Sequence, residues 1–231
     1  MAEVGAHRFV IERAQFAKFE RALSVAMSAA RSLGIDAGIF WLRDSIFAAT
    51  PYASIGLASC DLELEELLEC IAISQLAARP LLFELRAHRI RYLERIGFVV
   101  ARDRIVFSFE YDRKLKVSTP PLFSRYSSSW RPRMTPREHY EVLAESCPNL
   151  GRALPIEKIR AKLLKHEDYG YVFLEDFLRA FPQVAVSRSL LVAFLEAAKD
   201  EDTTFLFAYY DDKRCIVCRA GGVIAILSVI D

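Results

Sequence analysis

Residues 107–117 (FSFEYDRKLKV) and 207–217 (FAYYDDKRCIV) carry one pattern twice, about 100 residues apart. Aromatics stand at Phe107 and Phe207, and at Phe109 and Tyr209. A turn acid follows at Asp112 and Asp212, then two cations, Arg113-Lys114 and Lys213-Arg214, and a valine at Val117 and Val217. Alternation running into an acidic turn is the pattern of a β-hairpin. Upstream, the amphipathic segments Arg86–Ile96 and Arg188–Ala198 pair Arg86 with Arg188, Ile90 with Val192, and Tyr92-Leu93-Glu94 with Phe194-Leu195-Glu196. Solenoid units repeat every 20–50 residues or so. A longer period of helix followed by hairpin predicts two tandem α+β domains.

The 231 residues suffice for two such domains, each with its own core. Hydrophobic residues make up 53% of the chain, which excludes a disordered polymer. The 31 basic and 30 acidic side chains cancel to +1, so any nucleic-acid surface must come from charge segregated to one face. Five scattered cysteines fit a reducing compartment, with no disulfide framework. The first residues lack an apolar run of signal-peptide length. The longest apolar run, near 222–230, is far below the roughly 20 residues of a membrane span. Together these features predict a soluble intracellular protein that is not secreted.

Along the chain, residues 7–12 read as a strand. Residues 13–31 form a helix with the stripe Phe16, Phe19, Leu23, Ala26, Met27 and Ala30, ended by Gly34. Residues 35–60 are strand-like, with Arg43-Asp44 as a hairpin turn. Residues 61–76 suit either a strand or a helix; residues 80–85 are expected to be extended, 86–96 helical, and 97–118 a hairpin. The stretch 119–137 holds four prolines and four serines and reads as a linker. Leu122, Phe123, Tyr126 and Trp130 within it exceed what a plain tether needs. Thr135 and Glu138 form a capping box for a helix starting at Pro136. Helical spacing appears again at 152–165, a strand at 169–174 and a helix at 187–199. Strands follow at 204–210, 214–219 and 222–229.

The closing order of strand, helix, acidic turn, hairpin, Gly turn and last strand, in QVAVSRSLLVAFLEAAKDEDTTFLFAYYDDKRCIVCRAGGVIAILSVID, resembles a sliding-clamp domain. Such domains build bacterial beta clamps and proliferating-cell-nuclear-antigen-type clamps. Residues 7–31 and 83–118 resemble the opening and closing parts of a first such domain. The resemblance implies clamp-like units at 1–118 and 137–231, a connector at 119–136, and helices on one face of antiparallel sheets. It implies a DNA polymerase processivity factor, three chains to a ring, with no catalytic chemistry and no cofactor or metal. Polymerase and clamp loader would dock through short peptide motifs near Leu122, Phe123, Trp130, Val229 and Ile230. The setting would be the cytoplasm and nucleoid, or a virus acting in its host cell.

A sliding ring must attract phosphates without reading bases. Its helices should therefore carry an apolar face to the sheet and a basic face to duplex DNA. Candidates are Lys18 and Arg21 on the first helix, and Arg86, Arg89, Arg91 and Arg95 on 86–96. Further along stand Lys158, Arg160, Lys162 and Lys165, with Arg188 on the last helix. Segments 106–111 and 205–210 are candidate edge strands for pairing between chains. Two other readings stay open: a protein that holds DNA by its basic face without a ring, and a protein-binding adaptor.

Other motifs favour structural roles. Cys215 and Cys218 lie three apart in a strand, so they should point to opposite faces. His7, His88, His139 and His166 lack ligand spacing, and the acids at 200–202 and 211–212 sit in turns.

Overall fold

The computed structural model of the chain describes residues 7–34, 36–57, 70–87, 92–100, 105–111, 114–118, 130–146, 153–154, 171–173, 185–198, 203–210, 213–220 and 222–230. The first unit opens with β1 (His7–Glu12), a 3-10 turn at Arg13–Gln15 and α1 (Phe16–Leu33). Every residue of the expected α1 stripe is buried. Gly34 closes the helix at φ 99°, in the left-handed region that glycine tolerates, and its N–H bonds the Ala30 carbonyl. β2 (Gly38–Leu42), β3 (Ser45–Thr50) and β4 (Ala53–Leu57) follow as a meander. Then come β5 (Ile71–Ile73), α2 (Gln75–Ala87), β6 (Leu93–Val100), β7 (Ile105–Tyr111) and β8 (Lys114–Ser118).

Each half of this unit is a strand, a helix and three strands. The two halves exchange their first strands: β1 joins β6-β7-β8, and β5 joins β2-β3-β4. An aromatic cluster ties both sheets to α1. Phe9 stacks on Phe98 at 4.6 Å and meets Trp41 edge-on at 4.8 Å, while Phe19 lies 5.2 Å from Trp41.

The second half contributes α3 (Pro136–Ser146), β9 (Ala153–Leu154), β10 (Tyr171–Phe173), β11 (Ala185–Ser187), α4 (Arg188–Ala198), β12 (Thr203–Tyr210), β13 (Lys213–Ala220) and β14 (Val223–Ile230). The run β11-α4-β12-β13-β14 repeats the strand-helix-three-strand unit once more. β14 pairs antiparallel with β4, from Val223 opposite Leu57 to Leu227 opposite Ala53. One sheet therefore runs β5-β2-β3-β4-β14-β13-β12-β9 through both halves. α1 lies between α2 and α4 on one face of it. Their shared core holds Ile39, Trp41, Ile55, Ile216, Cys218 and Leu227.

Three expectations need correction. The helix expected at 86–96 ends at Ala87, and Leu93–Val100 is strand β6. Its alternation shows in buried Leu93, Ile96 and Phe98, with a register shift between Leu93 and Arg95. The extended segment expected at 80–85 lies within α2, which accommodates Pro80 because Ala77, Ala78, Leu81, Leu82 and Leu85 bury a continuous stripe. Finally, β7 is not an edge, since β6 and β8 flank it.

The expected single helix face is not kept, since α3 packs on the opposite face of the long sheet from α1 and α4. Strand alternation separates the two faces. Leu143 and Tyr140 of α3 cover Cys215, Val217, Ile224 and Ile226, whereas Ile216, Cys218, Ala225 and Leu227 face the other helices.

Candidate nucleic-acid interface

The surface of α1 and α2 away from the sheets is basic. Lys18, Arg21 and Arg31 on α1 are exposed, as are Arg79 and Arg86 on α2. They point outward because the apolar stripe of each helix takes the opposite side. Arg86 donates from Nε to Glu20 Oε1 at 3.3 Å and from Nη2 to Ser24 Oγ at 2.9 Å, which fastens the end of α2 to the start of α1. At the other end Gln75 Nε2 donates to the carbonyls of Ala30 and Gly34, at 3.1 and 3.2 Å. The two helices therefore run antiparallel with their cations on one surface.

The remaining expected cations divide. Arg95 stands on β6, exposed, with Nε 3.2 Å from Glu12 Oε2. Phe9 and Ile11 take the inner face of β1, so this pair lies on the outer face of its sheet, away from α1 and α2. Arg95 leaves the helix-borne set because its helix does not form there. Arg188 opens α4; its Nε is buried and has no hydrogen-bond partner among the described residues. Rather than a cation, α4 presents exposed Glu196, which accepts a hydrogen bond from Ser32 of α1. Arg89, Arg91, Lys158, Arg160, Lys162 and Lys165 lie outside the described residues. Arg79 was missed at the sequence level. Its signal was the spacing Leu76-Arg79-Phe83-Arg86, which the proline at position 80 obscured.

The proposed docking residues also divide. Trp130 meets Phe40 edge-on at 5.6 Å and packs with Phe47, Leu42 and Ala72 on the outer face of β2, β3 and β5. Val229 packs from β14 toward the helix-side core. Ile230 pairs with Ala185 at the end of β14. Leu122 and Phe123 lie outside the described residues.

Beyond Trp130 the chain straps the outer face. Thr135 N–H donates to Glu138 Oε2 at 2.8 Å, and Glu138 N–H donates to Thr135 Oγ1 at 3.2 Å, completing the expected capping box. Glu138 also pairs with Arg43 in the β2–β3 turn. Arg219 of β13 lies over the Tyr140 ring at 5.4 Å.

Cys215 faces α3 and Cys218 faces α1 and α4, so the CxxC pair is split across the sheet. Burial, then the neighbouring Cys215, pushes the Cys218 thiol well above its ordinary value. Burial pushes Cys70 up to about 11, against the opposing pull of Arg131. Such thiols stay protonated and unreactive near neutral pH. Among the described residues no group of three or more His, Cys, Asp or Glu could hold a metal ion. No helix among them is long and apolar enough to cross a membrane.

The fold is that of DNA sliding clamps. A DNA polymerase III subunit beta from Pseudomonas aeruginosa matches over 100% of this chain and 68% of its own, with TM-score 0.59 and 10% identity. A DNA polymerase sliding clamp from Caulobacter crescentus matches over 100% and 67%, with TM-score 0.58 and 10% identity. A sliding clamp from Bartonella birtlesii matches over 98% and 65%, with TM-score 0.51 and 12% identity. The chain thus spans about two thirds of the length of the solved clamps it matches. No protein-family model matches the chain. No curated protein matches it either.

Proposed function

We propose that this chain is a non-catalytic DNA tether of the sliding-clamp kind, a processivity factor for a DNA polymerase. The observation that carries the reading is the exposed set Lys18, Arg21, Arg31, Arg79 and Arg86, gathered on the helix face of a clamp fold. Phosphates along a duplex would meet these cations without base readout, which leaves the protein able to slide. Residues 1–118 and 137–231 are the two clamp-type units of this proposal, joined by 119–136. In the described residues β8 hydrogen-bonds only with β7, so its other edge can pair with a second copy. Polymerase and loader peptides would then dock through the connector, with Leu122 and Phe123 among the contacts. The setting of such a protein is the nucleoid, or a virus acting in its host. With two units to a chain, a six-unit ring would take three copies; the matched structures lend that number no support.

Light scattering over a concentration series tests ring formation, a mass near three times 26.3 kDa supporting it and a stable monomer opposing it. Binding of linear duplex tests the cations: Lys18→Ala with Arg21→Ala should reduce the slope of log K against log salt by roughly 2. Unchanged binding would remove the DNA reading.

One observation favours a second reading, in which the protein holds DNA by one face without encircling it. Cations concentrate on α1 and α2, while α4 beside them presents Glu196. A loaded ring stays on closed circular DNA at high salt, whereas a face binder dissociates.

A further inference from the structure

Leu76 and Phe83 are 55% and 64% exposed on α2, two turns apart on one face. They are not residues that failed to find a core. The opposite face of α2 is fully packed through Ala77, Ala78, Leu81, Leu82 and Leu85, and Glu84 is buried there with a hydrogen bond from Tyr111. Arg79 stands between the two apolar side chains and Arg86 beyond them, each three residues on, and both are exposed. On neighbouring α1 Arg21 and Arg31 are exposed too, while Glu20 is engaged by Arg86. Among the described residues of the two helices the surface is thus an exposed aromatic ring and an aliphatic side chain set among arginines, with Glu20 paired to Arg86 and Glu84 buried.

A duplex needs only the arginines of such a surface. Its bases are stacked inside, and an exposed phenyl ring gains little against a hydrated phosphate backbone. A single strand offers phosphates and open base faces together, and stacking platforms flanked by cations are how proteins hold it. A protein with an acidic and apolar face would use the same groups; the single strand is favoured because every nucleotide brings a phosphate for an arginine together with a base face for the ring.

We propose that the α1/α2 face takes single-stranded DNA, with Phe83 as the platform on which a base stacks, Leu76 extending the apolar strip, and Arg79 and Arg86 holding the adjoining phosphates. This rests on the DNA-tethering reading and narrows it to a strand form.

Fluorescence anisotropy of the full chain with a labelled oligothymidylate of roughly 20 nucleotides, beside a duplex of the same length, separates the two claims. Phe83→Ala should weaken strand binding roughly tenfold and leave duplex binding within about twofold. Phe83→Trp should retain strand binding and show quenched emission when the strand is bound. Arg79→Ala should weaken both probes. Phe83 is exposed, so its alanine variant should keep the parent's thermal midpoint. Equal loss on both probes, or loss on neither, overturns the inference. Parent protein that binds duplex and not the strand overturns it while sparing the tethering reading; parent protein that binds neither probe overturns both. If Phe83→Ala instead dissociates a self-associated species and leaves strand binding intact, α2 is a contact between copies and the inference fails.

Discussion

At Gly56 there is no space for even one methyl group. A Cβ there would sit 2.5 Å from Phe47 Cβ, 3.2 Å from Phe47 Cα and 3.3 Å from the Ile46 carbonyl. Two of those atoms are backbone, so relief requires moving β3 against β4, beside the seam where β4 meets β14. Gly56→Ala should therefore destabilise the protein by about 1–3 kcal/mol, read as a lowered denaturant midpoint with an unchanged slope. His139 makes a different prediction. Burial within α3 holds its pKa below the ordinary 6.5. The unfolded chain then takes up the proton first, so the stability His139 contributes is present above pH 6.5 and lost as the pH falls toward its folded-state value. Melting temperatures from pH 7.5 to 5 should decline less steeply in His139→Gln than in the parent; parallel curves would refute the assignment.

Among the elements, α3 is the most locally determined and the least expected in its position. Leu143 is 1% exposed over Cys215, Val217 and Ile224, so Leu143→Ala should cost about 2–3 kcal/mol. Thr135→Ala, which removes the cap, should cost about 1 kcal/mol. Amide exchange across 136–146 should accelerate in both variants before it does in α1. The helix and its cap were legible in the sequence, because a Thr-x-x-Glu box is a local signal. Which face of the sheet it covers was not, since that depends on partners in β13 and β14 far along the chain. α1 and α4 were legible for the same local reason, through unbroken apolar stripes. α2 was not, because Pro80 removes a backbone donor and reads as a break, although five buried apolar residues outweigh that one lost bond. The apparent helix at 86–96 combined the end of α2 with the start of β6, whose spacings together imitate a helical period. The repeat itself was genuine in kind and misplaced in register. It matched β7-β8 with β12-β13, whereas the strand order after α2 and α4 matches β6 with β12. Leu93 and Thr203, which begin those two strands, stand 110 residues apart. Of the candidate site, Lys18 and Arg21 were named on the helix that carries them, Arg86 was named on a helix that does not form, and Arg79 and Phe83 went with the missed α2.

The two halves share the long sheet, the layer of α1, α2 and α4 on one face of it, and the apolar core between them. The β4–β14 seam continues beyond its ladder through the Ser228 N–H, which donates to the Tyr52 carbonyl at 2.8 Å. α3 bridges the seam from the outer side, reaching Arg43 in the first half and Arg219 in the second. A chain of this construction should unfold in one step despite its two-part sequence. Calorimetry should give a single peak with a van't Hoff to calorimetric enthalpy ratio near 1, and two resolved peaks would show that the halves are independent. The exchange of first strands also has a meaning in time. Glu12 finds Arg95, and His7 finds Val100, only after the chain between them exists. At about 5–20 residues per second, β1 leaves the ribosome and waits several seconds with its edges unpaired. β4 then waits for β14 across a gap nearly twice as long. During synthesis the nascent protein is a set of open strand edges in search of partners, and neighbouring chains on one message carry the same edges.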